Sequence, residues 1–213
     1  MNNNQKAKKN YIVYDFVRVT AALPGLLWMR PKILYENEAA KSGLKGGVLL
    51  VANHSNYFDP VYLMVALWRR RHHFVCIKDF FQGKFLSWLF SSFHCIPIDR
   101  ENFSMDSLRR ITQELKDGNL VSMFPEGYVH QGGGSLAPFK SGMVLIAMQS
   151  GKPIVPVYVK RPARWYNRLV VSVGEPVDVC KLYGGRPSLG QIDQTAALLQ
   201  EKEEKLRRMC GVE

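Results

Sequence analysis

Acidic residues are scarce in this chain, and long uncharged runs are missing. Asp and Glu number 18 against 29 Lys and Arg in 213 residues, a formal net charge of +11. Such a surplus favours anionic partners: nucleic acid, an anionic membrane face or phosphorylated substrates. The longest uncharged runs, 19–29 and 85–98, fall short of the roughly 20 residues a bilayer core requires. No membrane-spanning segment is therefore expected. Cysteine is confined to Cys76, Cys95, Cys180 and Cys210, with no C-x-x-C pair and no matching histidine spacing. That excludes a disulfide framework and a zinc site, and the thiols read as reduced and cytoplasmic. Internal repeats are absent, and the loop-rich stretches 131–135 and 183–190 are too short for an interdomain linker. One domain is expected, and with 46% hydrophobic and 22% charged residues it can bury a core.

The N-terminus is polar and basic (Lys6, Lys8, Lys9), and residues 11–29 are rich in apolar and aromatic side chains. That order mimics a secretory signal, but Asp15 and Arg18 interrupt the apolar part and no small-x-small cleavage site follows. A helix lying in a membrane interface, with Trp28 near its end, suits the mixture. A helix packed on the core is the equal alternative.

Beyond it the pattern alternates. Short apolar runs at 48–52 (VLLVA), 73–77 (HFVCI), 95–98 (CIPI), 120–124 (LVSMF), 154–159 and 169–173 read as strands. Residues 60–68, 80–93, 104–117, 142–149 and 192–209 read as helices, the third capped by Ser104 and stopped by Gly118. Strand–helix alternation predicts an α/β fold: a single domain with a mixed, mostly parallel sheet flanked by helices. Residues 1–30 form the N-terminal basic segment and helix, and 31–213 the α/β domain. In such sheets functional loops gather beyond the carboxyl ends of strands.

The first such loop is 53–60 (NHSNYFDP). His54 can serve as general base near neutral pH, and a carboxylate on its other nitrogen, Asp59, fixes the tautomer and stabilises the imidazolium. On one continuous helix their offset would turn the two side chains ~140° apart. The pair works only if His54 lies in a turn and Asp59 starts the next helix, where Pro60 suits the first turn. His94 and Asp99 share the spacing, but the segment between them reads as extended, which puts them on opposite faces roughly 16 Å apart. His94 is therefore read as a structural histidine. Further candidates accompany His54: Arg100 in IDR and Glu126 and Gly127 in FPEG, each just past a strand, Lys140 in PFKSG after a glycine-rich loop, and Pro156 in the strand IVPV. A base, an arginine suited to phosphate, a loop glutamate and a lysine can converge at one sheet edge.

These motifs, in this order, resemble those of the glycerophospholipid acyltransferases of the lysophosphatidate acyltransferase type. The match runs over about 48–160: His54-x4-Asp59, 98–100, 124–127 and 154–157. The resemblance implies that His54 takes the proton of a lysolipid hydroxyl, with Asp59 orienting it. The alkoxide then attacks the thioester of acyl-CoA or acyl-carrier protein, without a covalent acyl-enzyme. It also implies that Arg100 binds the acceptor phosphate, that Glu126 and Gly127 shape the acceptor site, and that Pro156 helps form the acyl-side wall. Lys140 is added as a ligand for a phosphate of either substrate. No cofactor and no metal are implied. One departure stands out: the family pattern often continues FPEG-Thr-Arg, where this chain has Tyr128, Val129 and His130. The acceptor headgroup is thereby left open.

Two basic runs, 69–73 and 160–168, read as contacts to an anionic membrane surface on the cytoplasmic face of a membrane, the second carrying Trp165 and Tyr166. Nucleic acid is disfavoured, because no recognition motif accompanies the charge. The aromatic residues Phe80, Phe81, Phe85, Trp88, Phe90 and Phe93 read as core rather than as an acyl-chain tunnel. Two alternatives to the acyltransferase stay open: a non-catalytic lipid- or membrane-binding protein on the same fold, and a thioesterase using the same His–Asp dyad.

Overall fold

The apolar runs assemble into one seven-stranded sheet of order β1-β7-β6-β2-β5-β3-β4. The computed structural model describes residues 10–99, 104–129, 138–164, 167–184 and 187–212. The strands are β1 (Lys32–Tyr35), β2 (Val48–Ala52), β3 (His72–Ile77), β4 (Ile96–Ile98), β5 (Leu120–Met123), β6 (Ile154–Lys160) and β7 (Val170–Val173). The helices are α1 (Ile12–Met29), α2 (Glu38–Ser42), α3 (Asp59–Ala66), α4 (Lys84–Ser92), α5 (Met105–Lys116), α6 (Gly142–Ser150), α7 (Val179–Tyr183) and α8 (Leu189–Met209). Strands β4, β3, β5, β2 and β6 run parallel; β7 is antiparallel to β6, and β1 runs with β7. The expected mixed, mostly parallel α/β sheet is what the chain builds.

Strand β2 shows why. All five of its residues are buried, as the continuous run VLLVA requires in a sheet covered on both faces. Leu49 and Val51 join a core with α5, α6 and α8, among them Ile111, Met143 and Leu199. Val48, Leu50 and Ala52 join the opposite core with Leu63, Ala66 and Leu67 of and just after α3. Because the parallel strands share a direction, the loops after β2, β5, β3 and β4 emerge at one edge.

Several elements depart from the sequence reading. β1 and α2 were not expected; both are short, and β1 owes its pairing to β7, far along the chain. The stretch 80–93 is not one helix. A 3-10 turn (Lys78–Phe81) precedes α4, and Gly83, at φ +84°, breaks the two apart. Its aromatic residues divide: Phe81, Phe90 and Phe93 pack on the core, whereas Phe85 and Trp88 are 68% and 53% exposed. The expected aromatic core is therefore only half formed.

Helix α1 is long and apolar enough to cross a membrane, contrary to the reading from uncharged runs. Counting uncharged residues broke the segment at Asp15 and Arg18, yet these two pair with each other at 3.3 Å within the helix. Its inner side is anchored. The hydroxyl of Tyr14 accepts from the His72 amide at 2.7 Å and donates to the His72 carbonyl at 3.2 Å. At Gly25 the helix lies so close to α3 that a Cβ would stand 2.9 Å from a Val65 methyl. Its outer side exposes Ile12, Phe16, Val19, Leu23 and Leu27, one stripe at helical spacing.

Candidate active site

At the end of β2 the chain leaves the sheet through Asn53. The Asn53 side chain clamps this exit to β6: its Nδ2 donates to the Val159 carbonyl at 3.1 Å and its Oδ1 accepts from the Val159 amide at 2.7 Å. The next residues wrap around one carboxylate. The amides of Ser55 and Asn56 each donate to Oδ2 of Asp59 at 2.8 Å. Asp59 is fully buried at the first position of α3, followed by Pro60, where the free amides of a helix start favour negative charge.

Nδ1 of His54 lies 3.2 Å from the same Oδ2. The turn-then-helix arrangement that the spacing demanded is therefore present. The imidazole stacks on Phe124, with centroids 4.1 Å apart and planes 16° from parallel. The His54 amide donates to Oε1 of Glu126 at 3.0 Å. Backbone and ring face are thus held by the segment after β5 and the ring edge by α3, while the side chain keeps 16% of its surface open. With Nδ1–H directed at Asp59, Nε2 carries the lone pair, the arrangement of a general base.

The FPEG turn comes next. Glu126 is buried beneath the His54 turn rather than on an open surface. Gly127 adopts φ +77°, and a Cβ there would stand 3.2 Å from Nζ of Lys140. The Lys140 amide donates to the Pro125 carbonyl at 3.1 Å, and its exposed ammonium lies 5.7 Å from the centre of the Tyr128 ring. Glu126 is therefore brought against the His54 turn, with Gly127 beside it in the FPEG turn and Lys140 against that turn. Pro156 is not. It is buried within β6, and its ring packs against Gly174 on the side of Leu206 of α8, away from the layer of Phe124 and α3. Arg100 and His130 lie outside the described residues, as do Trp165 and Tyr166. The strand leading to Arg100, β4, lies three strand spacings from β2, about 14 Å.

Most of the basic run 69–73 is engaged within the protein, with Arg69 left exposed. The Arg70 guanidinium caps the carbonyls of Leu44, Gly46 and Gly118. Arg71 bonds Asp15 of α1 at 2.6 and 2.9 Å. His72 and His73 are fully buried. His72 faces the Ser122 hydroxyl at 2.8 Å, and burial pushes its pKa down to about 3. In the second run, Lys160 caps the end of α8 through the carbonyls of Cys210 and Gly211 at 2.8 and 3.0 Å. His94 has the structural setting expected of it, stacked on His73 and tilted against Tyr11, with Nε2 3.1 Å from the Asn10 carbonyl.

Three residues of the site region escaped the sequence reading. Asn53 and Phe124 lay inside recognised motifs, but nothing in the motifs states what they touch. Glu203 left a signal: it stands on the apolar stripe of α8, between Leu199 and Leu206, hidden in the charged run EKEEK. The four cysteines are free thiols. Among the described residues no group of three or more His, Cys, Asp or Glu is placed to hold a metal ion.

Residues 32–160 match the family described as Acyltransferase. The chain belongs to the acyltransferase family. It is 29% identical over 147 residues to the 1-acyl-sn-glycerol-3-phosphate acyltransferase of Bacillus subtilis, covering 67% of this chain and 70% of that one. With the enzyme of the same name from Streptococcus pneumoniae it shares 29% identity over 187 residues, covering 84% and 68%. The crystal structure of the 1-acyl-sn-glycerophosphate acyltransferase of Thermotoga maritima has the same fold, with a TM-score of 0.65 and 18% identity, over 92% of this chain and 79% of that one. The matched span of this acyltransferase contains His54, Asp59, Glu126, Gly127, Lys140 and Pro156.

Proposed function

We propose that this acyltransferase moves a fatty acyl group from a thioester, acyl-CoA or acyl-carrier protein, to the free hydroxyl of a lysophosphatidate-type acceptor in phospholipid synthesis. The observation that carries the reading is the His54–Asp59 pair, with Nδ1 3.2 Å from Oδ2 and the imidazole partly open to solvent. Nε2 accepts the proton of the acceptor hydroxyl as its oxygen attacks the thioester carbonyl. The tetrahedral intermediate collapses, the C–S bond breaks, and the imidazolium returns the proton to the departing thiolate. Asp59 stabilises the imidazolium between the two transfers. General-base catalysis supplies roughly 10²–10⁴-fold, and positioning and oxyanion stabilisation supply the rest.

Arg100 and Lys140 are the cations proposed for substrate phosphate, a role suited to a fork of donors and to a point charge respectively. Gly127 keeps the FPEG turn open for the Lys140 stem. Glu126 serves the site from below, through the His54 amide. Pro156 keeps an acyl-side role only indirectly, through the packing of β6 against α8.

The lipid substrates place the enzyme at a membrane. The exposed stripe of α1, with Tyr57 and Phe58 exposed beside the His54 turn and Phe85 and Trp88 on α4, supports interfacial anchoring to the cytoplasmic face of an anionic membrane. In this reading residues 1–30 are the membrane-facing segment and 31–213 the catalytic domain.

The test is an acyl-transfer assay with a panel of lysolipids, both donor types, and His54→Ala as control. Acylated lysolipid from wild type and none from the folded variant is the expected result. Free fatty acid alone would make the protein a thioesterase. Lipid binding without turnover, unchanged in His54→Ala, would make it a binding protein.

A further inference from the structure

Glu203 is a fully buried acid on α8, outside the family-matched span, and neither of its carboxyl oxygens has a hydrogen-bond partner. A buried carboxylate without a partner is costly, and the group takes a proton instead. Its surroundings offer little compensation. A second buried acid, Glu126, faces it, and Glu204 adds negative charge from the same helix. From β6, Tyr158 faces it, while Lys160 is engaged at the end of α8. From the same helix, Arg207 bonds Glu204 at 3.0 Å and lies against Tyr158. β7 and α6, also packed on α8, carry no ionisable side chain in their spans. The backbone amide of Asn53 is directed at the group and offsets only part of the desolvation, so the carboxyl is held well above the usual range.

The two acids stand behind consecutive backbone amides of the active-site turn. Glu203 faces that of Asn53, and Glu126 takes that of His54 at 3.0 Å. We propose that Glu203 is a positioning residue for acyl transfer: in its acid form it donates a hydrogen bond to the Glu126 carboxylate and so keeps Glu126 on the His54 amide. The residue acts through Glu126 and touches no substrate. The inference rests on the acyl-transfer reading above.

Glu203→Gln keeps an uncharged donor of the same size, and Glu203→Leu removes the donor while keeping the volume. At pH 7 the Gln variant is expected within about 2-fold of wild-type kcat. The Leu variant is expected to lose about 10-fold in kcat with KM little changed, because the imidazole is misplaced while the substrate sites are intact. In wild type, ionisation of Glu203 sets two carboxylates side by side, so kcat falls on the alkaline side; the Gln variant lacks that fall. A wild-type-minus-Gln infrared difference spectrum at pH 7 should show the C=O band of a protonated carboxyl. Equal activity of Leu and Gln, an unchanged alkaline limb in Gln, or no such band would each overturn the proposal. Were wild type itself to transfer no acyl group, the acyl-transfer reading would fail instead, while the infrared band would still report the proton on Glu203.

Discussion

Oδ2 of Asp59 receives three donors at once: Nδ1 of His54 at 3.2 Å and the amides of Ser55 and Asn56 at 2.8 Å each. The carboxylate thereby shapes the turn and holds the imidazole that the proposed mechanism uses as base. A structural and a chemical role fall on one atom, and a substitution at Asp59 disturbs both.

Asp59→Asn keeps an acceptor for the two amides but loses the charge that stabilises the imidazolium. We expect kcat to drop by about 10²–10⁴-fold with the fold retained. Steady-state kinetics beside circular dichroism checks this, and a fall of less than 3-fold would remove Asp59 from the mechanism.

Gly127→Ala puts a Cβ at φ +77° and 3.2 Å from the Lys140 ammonium. The left-handed conformation alone costs about 1–2 kcal/mol for a residue with a Cβ. Urea denaturation should show that loss. Adding Lys140→Ala should return only the smaller, contact part of it, since the backbone strain remains.

Two buried groups give stability opposite pH dependences. For His72 the pKa is pushed down to about 3 by burial, so between there and its ordinary value of 6.5 the unfolded chain binds more protons than the folded one. The stabilisation is full above pH 6.5 and is lost as pH falls through that window, by up to about 1.4 kcal/mol per pH unit. Glu203, held above the carboxylate range, works the other way: its folded form favours the proton, so stability is lost as pH rises past the unfolded value. Glu203→Gln should therefore raise Tm by more at pH 8 than at pH 5, and His72→Gln should flatten the acid limb. Melting curves at several pH values decide both.

The apolar stripe of α1 is expected to enter the lipid. Burying one phenylalanine contributes about 1.5–3 kcal/mol, so Phe16→Asp should weaken binding to anionic vesicles by at least about 10-fold. Turnover of substrate dispersed in detergent should be unaffected. Sedimentation with vesicles provides the measurement, and unchanged binding would reassign the stripe.

Much of the fold was legible in single stretches. VLLVA reads as a buried strand from its own composition, and Ser104 and Gly118 marked helix α5 through cap chemistry confined to a few neighbouring residues. The capping box of α8, Ser188 with Gln191, is equally local. By contrast β1 owes its place to β7, and the arginines of 69–73 read as surface because their partners, Asp15 and the carbonyls of Leu44 and Gly118, come from elsewhere in the chain.

The amino-acid order alone determined a buried strand ending at Ala52 and a helix that can start at Pro60, and so a turn in which His54 and Asp59 are able to meet. Folding decided what surrounds them. Glu126 meets His54 because β5 pairs in parallel beside β2, and Glu203 comes to lie behind both because α8 crosses the opposite face of the sheet. Proximity across strands is a property of sheet order, and sheet order comes from packing both faces at once, which no local stretch of chain encodes.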